Sequence, residues 1–87
     1  MPRYALLEHV AAPDDPAGLH YDLLLEDGSD CRTWRLSGIP PSTGDSRAAT
    51  EIQRHRLSWL DAVDEEVSGG RGRVRRMAAG ICEVDGD

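Results

Sequence analysis

Residues 19–26, LHYDLLLE, alternate so that Leu19, Tyr21, Leu23 and Leu25 share one side of an extended chain and His20, Asp22 and Leu24 share the other. Alternation of this kind between turn signals predicts a strand. An earlier strand is predicted over Arg3–His9 (RYALLEH), closed off by AAPDDPAG, whose two prolines and Gly18 stop regular structure. DGSD (Asp27–Asp30) reads as a hairpin turn into a third strand, Cys31–Leu36, which runs out in the loop SGIPPSTGDSR.

Residues 48–60, AATEIQRHRLSWL, fit two periods. Their apolar positions can share a helical face, yet the end reads as strand and turn, and we assign a strand. Gly69, Gly70 and Gly72 mark a further turn before Arg73–Met77, and a last strand is expected over Ile81–Val84. Short strands joined by Gly- and Pro-rich connections predict an all-β fold, a small antiparallel β-barrel in one domain spanning residues 1–87. The four apolar residues of LHYDLLLE make that face the expected core side. His20 and Asp22 are then expected to look towards a groove or barrel mouth.

Composition changes the picture in three places. The chain has 87 residues and no Phe, so its core rests on Leu, Val, Ile, Trp34, Trp59, Tyr4 and Tyr21, and a metal or partner would add to its stability. The formal charge is −6, which argues against a general nucleic-acid coat, although RGRVRR (Arg71–Arg76) places four guanidiniums where phosphate can be met. Every basic residue is Arg. Cys31 and Cys82 are too few for a zinc-ribbon pattern and are expected to be reduced. No secretory h-region or apolar run of membrane-spanning length is visible, so a cytoplasmic protein is expected.

An imidazole and a carboxylate two residues apart on one strand face suit a divalent transition metal such as Mn²⁺ or Zn²⁺. His9, at the end of the first strand, would complete a two-His-one-carboxylate set if the first two strands pair. The alternative is an ordinary polar strand face with a surface histidine. His55, flanked by Arg54 and Arg56, is suited to donate to a phosphate or act as a general acid, or is a solvated histidine in a charged segment. For Arg71, Arg73, Arg75 and Arg76 the two readings are a phosphate clamp and a solubilising hairpin.

Taken in order, LEH, LHYDLLLEDG, TWRL, HRLSWLDA and VSGGRGRVRRMAAG resemble the 3′-phosphoesterase domain of bacterial ligase D proteins and its small stand-alone relatives, over most of residues 3–81. The resemblance implies a compact β-barrel around a divalent metal, usually manganese, that removes a 3′-phosphate or a terminal ribonucleotide from DNA during repair. It puts His9, His20 and Asp22 on metal-site positions and His55 on the histidine that contacts the scissile phosphate. It also exposes departures. Leu24 stands where the family has a phosphate-contacting arginine, Trp59 where it has a tyrosine, and PDDPA lengthens the loop between His9 and His20. The chain ends where further barrel strands are expected, leaving the barrel partly open.

The leading expectation is therefore a metal-dependent 3′-end-processing phosphoesterase acting on DNA 3′ ends or a primer-template, with Arg71, Arg73, Arg75 and Arg76 binding the substrate phosphate. The alternative is a catalytically impaired metal- or nucleic-acid-binding module that assists a ligase or polymerase repair partner. No membrane partner is expected, and an open sheet edge would invite a homodimer.

Overall fold

The turn residues act where the chain needs them. Gly28, at φ 68°, closes the two-residue turn that pairs Asp27 with Asp30 and zips LHYDLLLED onto DCRTWRL. The computed structural model describes residues 2–37 and 49–81. Its strands are β1 (Arg3–Val10), β2 (Leu19–Asp27), β3 (Asp30–Leu36), β4 (Ala49–Arg56), β5 (Asp64–Glu66) and β6 (Arg73–Ile81), with a short 3-10 helix over Leu57–Asp61. All pair antiparallel in one sheet of order β4-β3-β2-β1-β6-β5. Among the described residues the sheet does not close, with β4 and β5 as its edges, as in a partly open barrel. No helix there is long and apolar enough to cross a membrane.

Three elements differ from the sequence-based expectation. The segment read as one strand over 48–60 is a strand only to Arg56, after which LSWLD turns as a 3-10 helix. β5 is three exposed acidic residues with no apolar alternation to betray it. Arg73–Met77, unassigned after the glycine turn, and the start of the expected last strand Ile81–Val84 belong to one strand, β6, which reaches Ile81; the rest of the expected last strand, with Cys82, lies outside the described residues. β6 continues because it bulges: Leu7 pairs with Arg76 and Leu6 with Ala78, so Met77 is the extra residue.

The largest correction concerns the faces of β2. Its alternation is as expected but its phase is reversed: Leu19 is exposed, Tyr21, Leu23 and Leu25 are half-buried, and His20, Asp22 and Leu24 are buried. The register shows why. The inward positions of β1 opposite Leu24, Asp22 and His20 are Ala5, Leu7 and His9, and Val74 of β6 lies opposite His9. Cys31 and Thr33 of β3, both fully buried, continue this face. Compact residues leave the room a sheet needs to curl towards that side, where Leu60 and Ala62 join Ala5, Leu7, Leu24, Cys31 and Val74 in the core. Arg76 fastens this closure, its Nε donating to the Ala62 carbonyl (3.1 Å) and its Nη2 to that of Leu60 (3.2 Å). The long apolar side chains instead cover the convex face, where Tyr4, Leu23, Leu25, Trp34 and Ala49 line a shallow apolar hollow.

Candidate metal centre

Strand pairing alone brings the three polar side chains together. β1 and β2 place His9 directly opposite His20, with ring centroids 4.8 Å apart, and Asp22 follows two residues along on the same face. The Asp22 carboxylate lies between the rings: Oδ2 is 3.5 Å from His9 Nδ1 and Oδ1 is 3.3 Å from His20 Nε2. One donor atom from each residue lies within 4.8 Å of the others. His20 is 3% exposed and Asp22 5%, a depth at which polar atoms ordinarily have partners. Yet His20 Nε2 and Asp22 Oδ1 form no hydrogen bond.

The far side of each ring explains this. His20 Nδ1 is 2.8 Å from Asp15 Oδ2, and His9 Nε2 is 2.8 Å from the Arg71 carbonyl oxygen. Ionised carboxylate and carbonyl oxygens only accept, so each ring must donate there. The bond from His20 holds the Asp15 carboxyl below the usual carboxylate range. In the neutral rings, His20 Nε2 and His9 Nδ1 then carry lone pairs aimed at the Asp22 oxygens. With both rings neutral, three acceptors face one another with no donor among them, an arrangement suited to a cation. Ligands about 2.0–2.2 Å from a Zn²⁺-sized ion sit roughly 3.0–3.6 Å from one another; the two His–Asp separations, 3.5 Å to Oδ2 and 3.3 Å to Oδ1, fall in that range, and the three atoms taken one per residue lie within a wider 4.8 Å. The residues present fit a divalent metal.

Two loops supply the outer partners. The loop after β1 is closed by Ala11 N–H to Gly18 O and Gly18 N–H to Asp15 O (3.0 Å each), which turns Asp15 inward. The turn before β6 brings the Arg71 carbonyl to His9. Gly72 (φ 93°) makes this possible, because a Cβ there would collide with the Val10 carbonyl oxygen. The glycines of VSGGRG thus include one whose bare backbone is needed at the site.

The site opens into a cleft of about 920 Å³ shared by His9, Asp22, Arg35, His55, Trp59 and Arg71. His55 reaches it through a bulge. Cys31 pairs with His55 but Thr33 pairs with Ile52, so the extra residue in β4 puts 52 and 55 on one face despite their odd spacing. Its Nδ1 donates to the Gln53 carbonyl oxygen at 3.0 Å. Leu24 is fully buried in the core beneath the cleft, and Trp59 packs half-buried against the same cluster.

The four arginines of RGRVRR are not equivalent. Arg71 lines the cleft, its guanidinium hydrogen-bonded to the Ser68 carbonyl and hydroxyl. Arg73 pairs with Asp64 (2.7 Å), Arg75 with Glu8 (3.3 Å), and Arg76 holds the 3-10 helix. Two residues of the site escaped the sequence reading. Asp15 lay in a loop read as extra material, although an acid five residues before a candidate ligand was a signal. Arg35, opposite Asp22 in the register, faces the cleft with its Nε buried and without a hydrogen-bond partner among the described residues. Cys31 is buried, and that burial pushes its thiol pKa up, away from reactivity. No family model and no curated protein matches the chain.

Proposed function

We propose that the protein is a divalent-metal-dependent phosphoesterase that trims DNA 3′ ends, removing a 3′-phosphate or a terminal ribonucleotide, as the resemblance to the ligase D 3′-phosphoesterase domain implies. The observation that carries the reading is the convergence of His9 Nδ1, His20 Nε2 and the Asp22 carboxylate within 4.8 Å at the floor of an arginine-lined cleft, with His20 Nε2 and Asp22 Oδ1 buried and without a hydrogen bond. His9, His20 and Asp22 hold the ion, with manganese the metal of choice on the resemblance. When bound, it supplies polarisation of a phosphoryl oxygen and a water acidic enough to attack near neutral pH.

The other roles fall to side chains of the cleft. Arg35 and Arg71 bind non-bridging phosphate oxygens, which guanidiniums accept in bidentate fashion. Arg35 thereby restores, from β3, the cation that Leu24 removes from β2. His55 donates to the scissile phosphate and protonates the leaving oxygen. Leu24 and Trp59 support the second reading, a non-catalytic module that keeps the metal and binds a DNA end for a ligase or polymerase partner. They replace a cation with a buried alkyl group and a phenol with an indole.

A primer carrying a 3′-phosphate or a single 3′-ribonucleotide, incubated with Mn²⁺, separates the two. The enzyme reading expects conversion by the natural protein, loss in His20→Ala, and a drop of about 10²–10⁴-fold in His55→Ala, the usual contribution of a general acid. Metal binding without conversion in the natural protein refutes it and supports the binding module.

A further inference from the structure

Apart from the buried Ala12, Asp15 is the one residue of the loop after β1 that is withdrawn from solvent: its side chain is 11% exposed, against 70% for its neighbour Asp14. Both of its oxygens are committed. Oδ2 accepts from His20 Nδ1 at 2.8 Å and Oδ1 from the Ala17 N–H at 3.1 Å. Its backbone is equally fixed, with Asp15 N–H donating to Ala12 O and Asp15 O accepting from Gly18 N–H, 3.0 Å each. Asp15 is thus held at four points, two on its carboxylate and two on its backbone, and it touches a residue of the candidate metal centre.

We propose that Asp15 is a positioning residue for the cation site, one that fixes the tautomer and rotation of His20 so that Nε2 is offered to the ion. The proposal rests on the metal-centre reading above. The physical reason lies in what a free imidazole would do there. His20 Nε2 is 3.3 Å from Asp22 Oδ1. Without an acceptor at Nδ1, the ring's proton is better placed on Nε2, where it meets that carboxylate. A hydrogen bond would then occupy the point at which the three lone pairs converge, and an ion would have to displace a proton to enter. Asp15 draws the proton to the opposite nitrogen and also raises the basicity of the ligand atom, as outer-shell carboxylates do for metal-bound histidines. The PDDPA segment, which lengthens the connection between β1 and β2, is what brings this carboxylate within reach.

The test uses the whole chain and two readouts. Long-range ¹H–¹⁵N correlation spectra of the histidine side chains report the His20 tautomer in metal-free protein, and calorimetric titration with Mn²⁺ and with Zn²⁺ reports affinity. In the natural protein His20 is expected to carry its proton on Nδ1. Asp15→Ala should move it to Nε2 and weaken metal binding by about 10–100-fold. Asp15→Asn, which keeps one acceptor oxygen for the two donors, should fall between. Backbone amide spectra confirm that each variant is folded before it is titrated. Folded variants with an unchanged tautomer and unchanged affinity would show that Asp15 merely staples its loop, and would overturn the proposal. A natural protein that binds neither ion overturns the metal-centre reading and this proposal with it, an outcome distinct from a metal site that ignores Asp15.

Discussion

The two faces of the sheet reverse the usual division of labour. The concave face buries His20, Asp22 and Thr33, with His9 half-buried beside them, among small and medium apolar residues, while the convex face leaves Tyr4, Leu23, Leu25 and Trp34 half-exposed. Both faces are built by the same strands, residue by alternate residue. A chain selected for stability alone would put the leucines of LHYDLLLE inside. Burial of Asp22 with an unpartnered oxygen costs free energy, because a polar group loses its water without gaining a hydrogen bond. The concave face is intelligible as a cation site and the convex face as what is left for the long side chains once the inside is taken.

The comparison breaks most sharply at Asp22. Asp22→Asn is expected to lower metal affinity by more than about 100-fold, beyond what loss of an outer-shell partner costs. The same change should stabilise the metal-free protein by about 1–3 kcal/mol, since the amide N–H₂ can donate to His20 Nε2 or His9 Nδ1 and removes an unsatisfied buried acceptor. Paired calorimetric titration and metal-free denaturant unfolding check both halves. A metal-free variant less stable than the natural protein would mean that Asp22 is a structural polar residue.

Next in size is Leu24→Ala, which removes a fully buried side chain from the concave core and should cost about 2–5 kcal/mol in urea unfolding. The matching change on the other face, Leu23→Ala, should cost under about 1.5 kcal/mol, because the side chain is only half-buried and each buried methylene contributes about 0.8 kcal/mol. Equal costs at 23 and 24 would erase the distinction between the faces.

How much of this was legible follows from what alternation can and cannot say. It marks His20 and Asp22 as neighbours on one face, and the hairpin DGSD sets the β2–β3 register, so the strands and the H-x-D pair could be read directly. Phase is another matter. Four apolar residues on one side of β2 outweighed three mixed ones on the other, but the partners Ala5, Leu7, His9 and Val74 decide the question, and they belong to other strands. Bulges are also silent in a sequence: one extra residue in β4 turns His55 into the cleft, and Met77 in β6 shifts the pairing so that Arg76 lies opposite Leu7 but Ala79 opposite Ala5. Asp15 and Arg35 act through tertiary contacts that no spacing encodes. RGRVRR reads as a phosphate clamp or a solubilising hairpin; in the fold Arg71 lines the cleft, while Arg73, Arg75 and Arg76 meet Asp64, Glu8 and the carbonyls of Leu60 and Ala62.

The smallest expected effect lies at the sheet margins. Glu51 and Asp64 are exposed, and their hydrogen bonds to Arg32 and Arg73 hold both carboxyls below the usual carboxylate range. A lowered folded pKa gives stability that is present above the unfolded value, about 4, and lost as pH falls through the folded one. Melting curves of Glu51→Gln and Asp64→Asn should therefore differ slightly from the natural protein at pH 6 and converge with it below about pH 4. A gap that widens on acidification would contradict the sign.

The central claim is that the concave face exists to hold a cation, and a crystal grown with Mn²⁺ tests it most directly. The account predicts one anomalous-scattering peak within bonding distance of His9 Nδ1, His20 Nε2 and the Asp22 carboxylate, with Asp15 and the Arg71 carbonyl still bonded to the far side of each ring. A Mn²⁺-soaked crystal with no peak among these three residues, and a direct hydrogen bond between His20 Nε2 and Asp22 in its place, would contradict it.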